Sequence, residues 1–124
     1  MRHEHPCSIL VVEDDPDVRG ALAAVLENAG YSVVEAEHGR AALVQLRGAT
    51  PVCLIVLDLF MPEMNGWEFR AEQMKDAKLA GIPVVVISAD SVAAKRAASA
   101  GGVVAAMTKP VELDRLLEVI AQHC

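Results

Sequence analysis

A chain of 124 residues, 53% of them hydrophobic, is long enough for one domain with a proper core and too apolar to be disordered. Its net charge of −6 argues against direct binding to nucleic acid, which needs a basic surface. Its apolar runs fall far short of the roughly 20 residues that span a bilayer, so no membrane insertion is expected.

Strand and helix periods alternate along the chain. Met1-Arg2-His3-Glu4-His5-Pro6 lacks the apolar stretch of a signal peptide, and residues 1–8 read as a tail. Ile9 to Val12 has no polar interruption, as expected of a strand buried on both faces. Glu13-Asp14-Asp15 follows, and Asp15-Pro16 reads as an N-cap with proline at the first helical position. Val18, Ala21, Leu22, Val25, Leu26 and Ala29 recur at helical spacing until Gly30. Tyr31 to Ala36 alternates in part, which suits an edge strand, and His38-Gly39 turns into a helix carrying Ala42, Leu43 and Leu46.

Val52 to Leu57 is the third strand, closed by Asp58. A loop with Pro62 and Asn65-Gly66 leads to a helix around Trp67 to Lys75. Val84 to Ile87 forms the fourth strand, ending at Ser88, and Ser91 begins an alanine-rich helix that stops at Gly101-Gly102. A short fifth strand, about Val104 to Met107, runs into Lys109-Pro110, and Leu113, Leu116, Leu117 and Ile120 mark a final helix. Five strands alternating with five helices imply an α/β domain with a parallel sheet and helices on both faces. No internal repeat or linker is visible, and no output domain is expected.

Cys7, Cys53 and Cys124 are odd in number and far apart, which excludes a paired-disulfide framework and a CxxC-type metal site on this reading. Cys53 reads as a small buried hydrophobe and Cys124 as an exposed thiol, so a reducing compartment, the cytoplasm, is expected.

Glu13, Asp14, Asp58, Ser88 and Lys109 each have an ordinary reading taken singly: helix-start acids, a loop cap, a strand-end hydroxyl, a surface lysine. Their placement decides otherwise, because all lie at C-terminal strand ends, where open α/β sheets bind ligands. Clustered carboxylates repel and raise the proton affinity of at least one unless a cation intervenes. Mg²⁺ is an oxygen-seeking ion that takes one or two carboxylates and bridges to phosphoryl oxygens. An aspartate can attack a phosphoryl group to give an acyl phosphate, while an ammonium and a hydroxyl hold the phosphoryl oxygens.

In this combination of acids after the first strand, Asp58 before Met61-Pro62 and Asn65-Gly66, Ser88-Ala89 and Lys109-Pro110, the chain from Ile9 to Gln122 resembles a receiver domain of two-component response regulators. The resemblance implies a doubly wound, flavodoxin-like sheet of order 2-1-3-4-5 over residues 9–122. It makes Asp58 the phosphoacceptor, Asp14 a direct Mg²⁺ ligand, Glu13 a ligand through water, and the Phe60 backbone carbonyl a further ligand. Ser88 takes the place of the switch hydroxyl and Lys109 holds the phosphoryl group, with a cis Lys109-Pro110 bond. Asp15 matches no required role. The donor would be a histidine kinase or a histidine phosphotransfer protein docking mainly on the first helix. The domain would act as a monomer or weak dimer, catalysing only its own phosphorylation and dephosphorylation. One departure is Ala106, which stands where the family often has an aromatic residue. Any phosphorylation-linked change should then run through Ser88 and the helix starting near Ser91.

Rival readings fare worse. A phosphatase of the haloacid dehalogenase type needs a second acid two residues after its nucleophile, and Phe60 stands there. A flavin or dinucleotide module needs a Gly-rich loop where Glu13-Asp14-Asp15-Pro16 is acidic. A degenerate receiver, acting only by docking, sits poorly with five chemically competent positions. His3, His5, His38 and His123 have no partner pattern, and Trp67 reads as a helix-packing residue.

Overall fold

A computed structural model describes residues 8–124. His3, His5, Cys7 and nearly all of the expected tail lie outside the described residues. The elements follow in strict alternation: β1 (Ser8–Val12), α1 (Pro16–Asn28), β2 (Val33–Ala36), α2 (Gly39–Leu46), β3 (Val52–Asp58), α3 (Gly66–Lys75), β4 (Val84–Ser88), α4 (Ser91–Ala98), β5 (Val103–Thr108) and α5 (Leu113–His123). All neighbouring strands pair in parallel, in the order β2-β1-β3-β4-β5.

The uninterrupted apolar strands are explained by helices on both sheet faces. Ile9 and Val11, Leu54 and Val56, Val85 and Ile87 point to one side, against Leu22 and Leu26 of α1 and Leu116 and Ile120 of α5. Leu10 and Val12, Ile55 and Leu57, Val84 and Val86 point to the other, against Ala42, Leu43 and Leu46 of α2, Phe69 of α3, and Ala93 and Ala97 of α4. Each buried Val, Leu, Ile or Phe among them contributes about 1.5–3 kcal/mol by leaving water. That burial holds the strand ends level and makes their register dependable.

Local chemistry sets the helix ends. The Asp15 carboxylate accepts from the Asp17 and Val18 amides, with Pro16 at the first helical position. His38 caps α2 through Nδ1, which accepts from the Ala41 amide at 3.1 Å. The segment Asn65-Gly66 is a helix start rather than a loop: Asn65 caps α3 in a reciprocal capping box with Glu68. Gly66 sits there because a Cβ would come within 2.8 Å of the Leu59 Cα and 2.9 Å of the Asp58 carbonyl oxygen. The helix is thereby drawn against the backbone of the strand end that carries Asp58.

The cysteines correct the sequence reading. Cys53 and Cys124 are joined in a disulfide, with Cα atoms 5.6 Å apart, despite a separation of 71 residues. The helix α5 runs antiparallel to the strands and returns the chain to the edge where β3 begins, which cysteine spacing alone does not reveal. Both residues are half-buried, so neither the buried hydrophobe nor the exposed thiol describes them. Trp67 also departs from the packing role: it is 40% exposed and lines an open groove with Phe60, Asp90, Val92, Ala93 and Arg96.

Candidate functional site

Register builds the site. Val12 pairs with Leu57, so Glu13, just past the end of β1, and Asp58, the last residue of β3, come side by side where the strand order reverses. Asp58 in turn pairs with Ile87, placing Ser88 one step beyond on β4. Ser88 pairs with Thr108, and the Lys109 amide donates to the Ser88 carbonyl at 2.8 Å. The Lys109-Pro110 peptide bond is cis. Of the strands, only β2 contributes no residue to the cluster; its Glu35 instead pairs with Arg19 at 3.3 Å.

Glu13 is fully buried, Asp58 is 2% exposed, and Asp14 is turned to solvent. Ligand oxygens of the three carboxylates lie within 4.8 Å of one another. Lys109 reaches into this group, its Nζ 2.6 Å from Glu13 Oε1 and 3.4 Å from Asp58 Oδ2. Glu13 Oε2 accepts from the Asp15 amide at 3.1 Å, and Asp58 Oδ1 accepts a long bond from the Phe60 amide at 3.4 Å. Arg19 was not foreseen. Its Nη1 donates to the Glu13 carbonyl at 2.8 Å, fixing the end of β1 behind the carboxylates; its helical spacing on α1 offered no sign of that role.

Burial and a neighbouring acid are visible in the proton affinity of Asp58. Burial, followed by the neighbouring Glu13 charge, raises the Asp58 carboxyl from 3.8 to about 7, against the opposing pull of Lys109. Burial works against the Lys109 ammonium, but its bonds to Glu13 and Asp58 outweigh that and raise its pKa. One lysine therefore compensates only part of the charge of three carboxylates.

A divalent cation fits this deficit. Glu13 Oε1 is buried and, among the described residues, receives no well-aligned hydrogen bond; the Lys109 ammonium 2.6 Å away supplies its compensating charge. An all-oxygen donor set with one solvent-facing carboxylate is the kind that Mg²⁺ takes while keeping several waters. Ser88 is fully buried at the adjoining strand end, and its Oγ accepts from the Asp90 amide at 3.1 Å. The sequence-expected residues Glu13, Asp14, Asp58 and Lys109 are thus brought together, with Ser88 on the neighbouring strand. The Phe60 side chain points outward, 53% exposed.

Comparisons with known proteins agree with this geometry. The family described as "Response regulator receiver domain" matches residues 9–121. The chain is 33% identical over 117 residues to Protein PilH of Pseudomonas aeruginosa, covering 90% of this chain and 93% of that protein. It is 38% identical over 121 residues to the transcriptional regulatory protein GlrR of Escherichia coli, covering 97% of this chain but 26% of GlrR. The chain thus spans only about a quarter of the length of that regulator. Among solved structures, the response regulator TrrA of Thermotoga maritima, in complex with Mg²⁺ and BeF, superposes with a TM-score of 0.81 at 28% identity, covering 95% of this chain and 99% of that one. The chain belongs to the response regulator receiver domain family, the phosphoacceptor modules of two-component signalling.

Proposed function

We propose that Asp58 is the phosphoacceptor of this receiver, in a reaction that requires Mg²⁺ held by Asp14, Asp58 and the Phe60 carbonyl, with Glu13 acting through water. The observation that carries this reading is a buried Asp58 carboxylate between a lysine ammonium and two further carboxylates at the sheet's switch point. A carboxylate oxygen of Asp58 attacks phosphorus, the bond from phosphorus to the donor's imidazole nitrogen breaks, and the imidazole leaves. In this reading Lys109 takes the phosphoryl charge and Ser88 donates a hydrogen bond to a phosphoryl oxygen. Bound Mg²⁺ would supply neutralisation of charge on the transferring group.

The receiver unit is taken as residues 9–122, working in the cytoplasm and catalysing only its own phosphorylation and dephosphorylation. Among the described residues, no helix is long and apolar enough to cross a membrane. A histidine kinase or histidine phosphotransfer protein is the proposed donor. An apolar groove beside Lys109, lined by Val18, Ala21 and Leu22 of α1 and by Pro110, Val111 and Leu113, offers such a donor a seat next to the pocket.

The test is incubation with acetyl phosphate, with and without Mg²⁺, followed by intact-mass measurement. The wild type should gain one phosphoryl group only with the cation, and Asp58→Ala should gain none. Equal labelling of both proteins would remove Asp58 from the role.

A further inference from the structure

We propose that Cys53 and Cys124 form a redox modification site, a thiol pair cross-linked reversibly by a low-molecular-weight disulfide. The proposal rests on the cytoplasmic setting proposed above, which stands on the receiver's role and no longer on unpaired cysteines; in that setting a permanent cystine is not maintained and a reducible one reports the thiol balance. The two Cα atoms stand 5.6 Å apart, within the range in which a disulfide closes without backbone movement.

Three observations mark the pair as responsive rather than as a fixed staple. Both residues are half-buried rather than enclosed, so part of the pair meets solvent, where a small thiol can approach it. The reduced state has a place for the thiol, because Cys53 Sγ lies 3.6 Å from the Ser8 carbonyl oxygen, which can accept its S–H. Finally, α5 is already anchored through the fully buried Leu116 and Ile120, so the cross-link adds to a helix that stands without it.

The exchange balances simply. A thiolate of the pair attacks one sulfur of the small disulfide, forming a mixed disulfide and releasing one small thiol. The second cysteine's thiolate attacks the protein sulfur of that mixed disulfide and expels the other small thiol. Two protein thiols are oxidised, and one small disulfide is reduced to two thiols.

The cross-link acts on the last turn of α5, where the Cys124 amide donates to the Ile120 carbonyl at 2.9 Å. Asp58 stands five residues along β3 from Cys53, roughly 17 Å away, at the opposite end of the strand. Oxidation therefore fixes the end of α5 without touching the phosphoacceptor pocket.

The experiment uses the chain carrying Cys7→Ser, so that a third thiol does not compete. Reduced protein is treated with glutathione disulfide and then with millimolar glutathione. It is followed by intact mass with thiol alkylation, and by hydrogen exchange at Ile120 to Cys124. The expected result is an intramolecular disulfide formed and then fully reversed, with exchange in that turn slowed about tenfold or more in the oxidised form. Adding Cys124→Ser should abolish both effects, and Cys53→Ala serves as a second variant if the first folds poorly. Mixed disulfides without closure, resistance to millimolar glutathione, or unchanged exchange would each overturn the proposal. Acetyl phosphate labelling of the same samples reads Asp58 separately, so a failure there condemns the phosphoacceptor reading and leaves the thiol result standing.

Discussion

Replacing Asp58 with asparagine should make the metal-free protein more stable, by an amount that depends on pH. Asparagine keeps the size of the side chain and an oxygen for the Phe60 amide, which now donates to Asp58 Oδ1 at 3.4 Å. It removes a charge that burial and Glu13 make costly. Folding raises the Asp58 pKa from 3.8 to about 7, so between those values the folded chain binds more protons than the unfolded one. Stability from this group is fully present below about pH 4 and is lost as pH rises through about 7. The difference of about 3 pKa units, at 1.36 kcal/mol each, amounts to about 4 kcal/mol. Water penetration and movement of Lys109 reduce this, so about 2–4 kcal/mol is expected. The assay is urea denaturation of wild type and Asp58→Asn in a chelator, from about pH 4 to about pH 8. The gap between the two should be near zero at the acid end, widen towards neutrality, and stay constant above about pH 7. Added Mg²⁺ should narrow it by stabilising the wild type through binding. A gap independent of pH, or a wild type more stable than the variant at about pH 8 without metal, would refute the electrostatic account of the pocket.

Other outcomes follow from single contacts. Lys109→Met should leave a folded protein, about 1–3 kcal/mol less stable because Glu13 loses its cation, and should slow labelling by acetyl phosphate; normal labelling would make Lys109 a bystander. Asp14→Asn should weaken Mg²⁺ binding tenfold or so, read from Trp67 fluorescence, while leaving the metal-free fold intact, since Asp14 faces solvent. Gly66→Ala should cost about 1–3 kcal/mol in denaturant midpoint, because its Cβ meets the Asp58–Leu59 backbone rather than a yielding side chain. On binding beryllofluoride, amide shifts should centre on Ser88 to Ala94, because the Ser88 hydroxyl holds the Asp90 amide and the Asp90 carboxylate caps α4 at Val92 and Ala93. Shifts dominated by β5 would place the coupling elsewhere.

Much of this site was legible in the chain because its signals are local. An apolar run followed by an acid, hydroxyl or lysine marks a strand end, and parallel topology alone brings such ends together. Asp15 as the cap of α1 and the edge position of β2 were readable in the same way, whereas the sheet order came only with the resemblance to the receiver family. What escaped the sequence depends on where packed helices finish. The pairing of Cys53 with Cys124 follows from α5 returning to the start of β3, and no cysteine spacing encodes that path. Arg19 looked like one more polar position on α1, yet it reaches the Glu13 carbonyl. Asn65-Gly66 read as a loop because the same pair serves turns and helix starts, and only the close approach of Leu59 shows why glycine follows the cap. Trp67, large and apolar, suggested packing; it instead lines an open groove, facing Val92, Ala93 and Arg96 of α4.

The most direct measurement of the central claim locates the phosphoryl group itself. The protein is labelled with acetyl phosphate and Mg²⁺, the acyl phosphate is reduced with borohydride, and the digest is sequenced by tandem mass spectrometry. The account predicts homoserine at position 58, absent when the cation is chelated. Homoserine at position 14, or phosphate retained on a histidine with Asp58 intact, would contradict it.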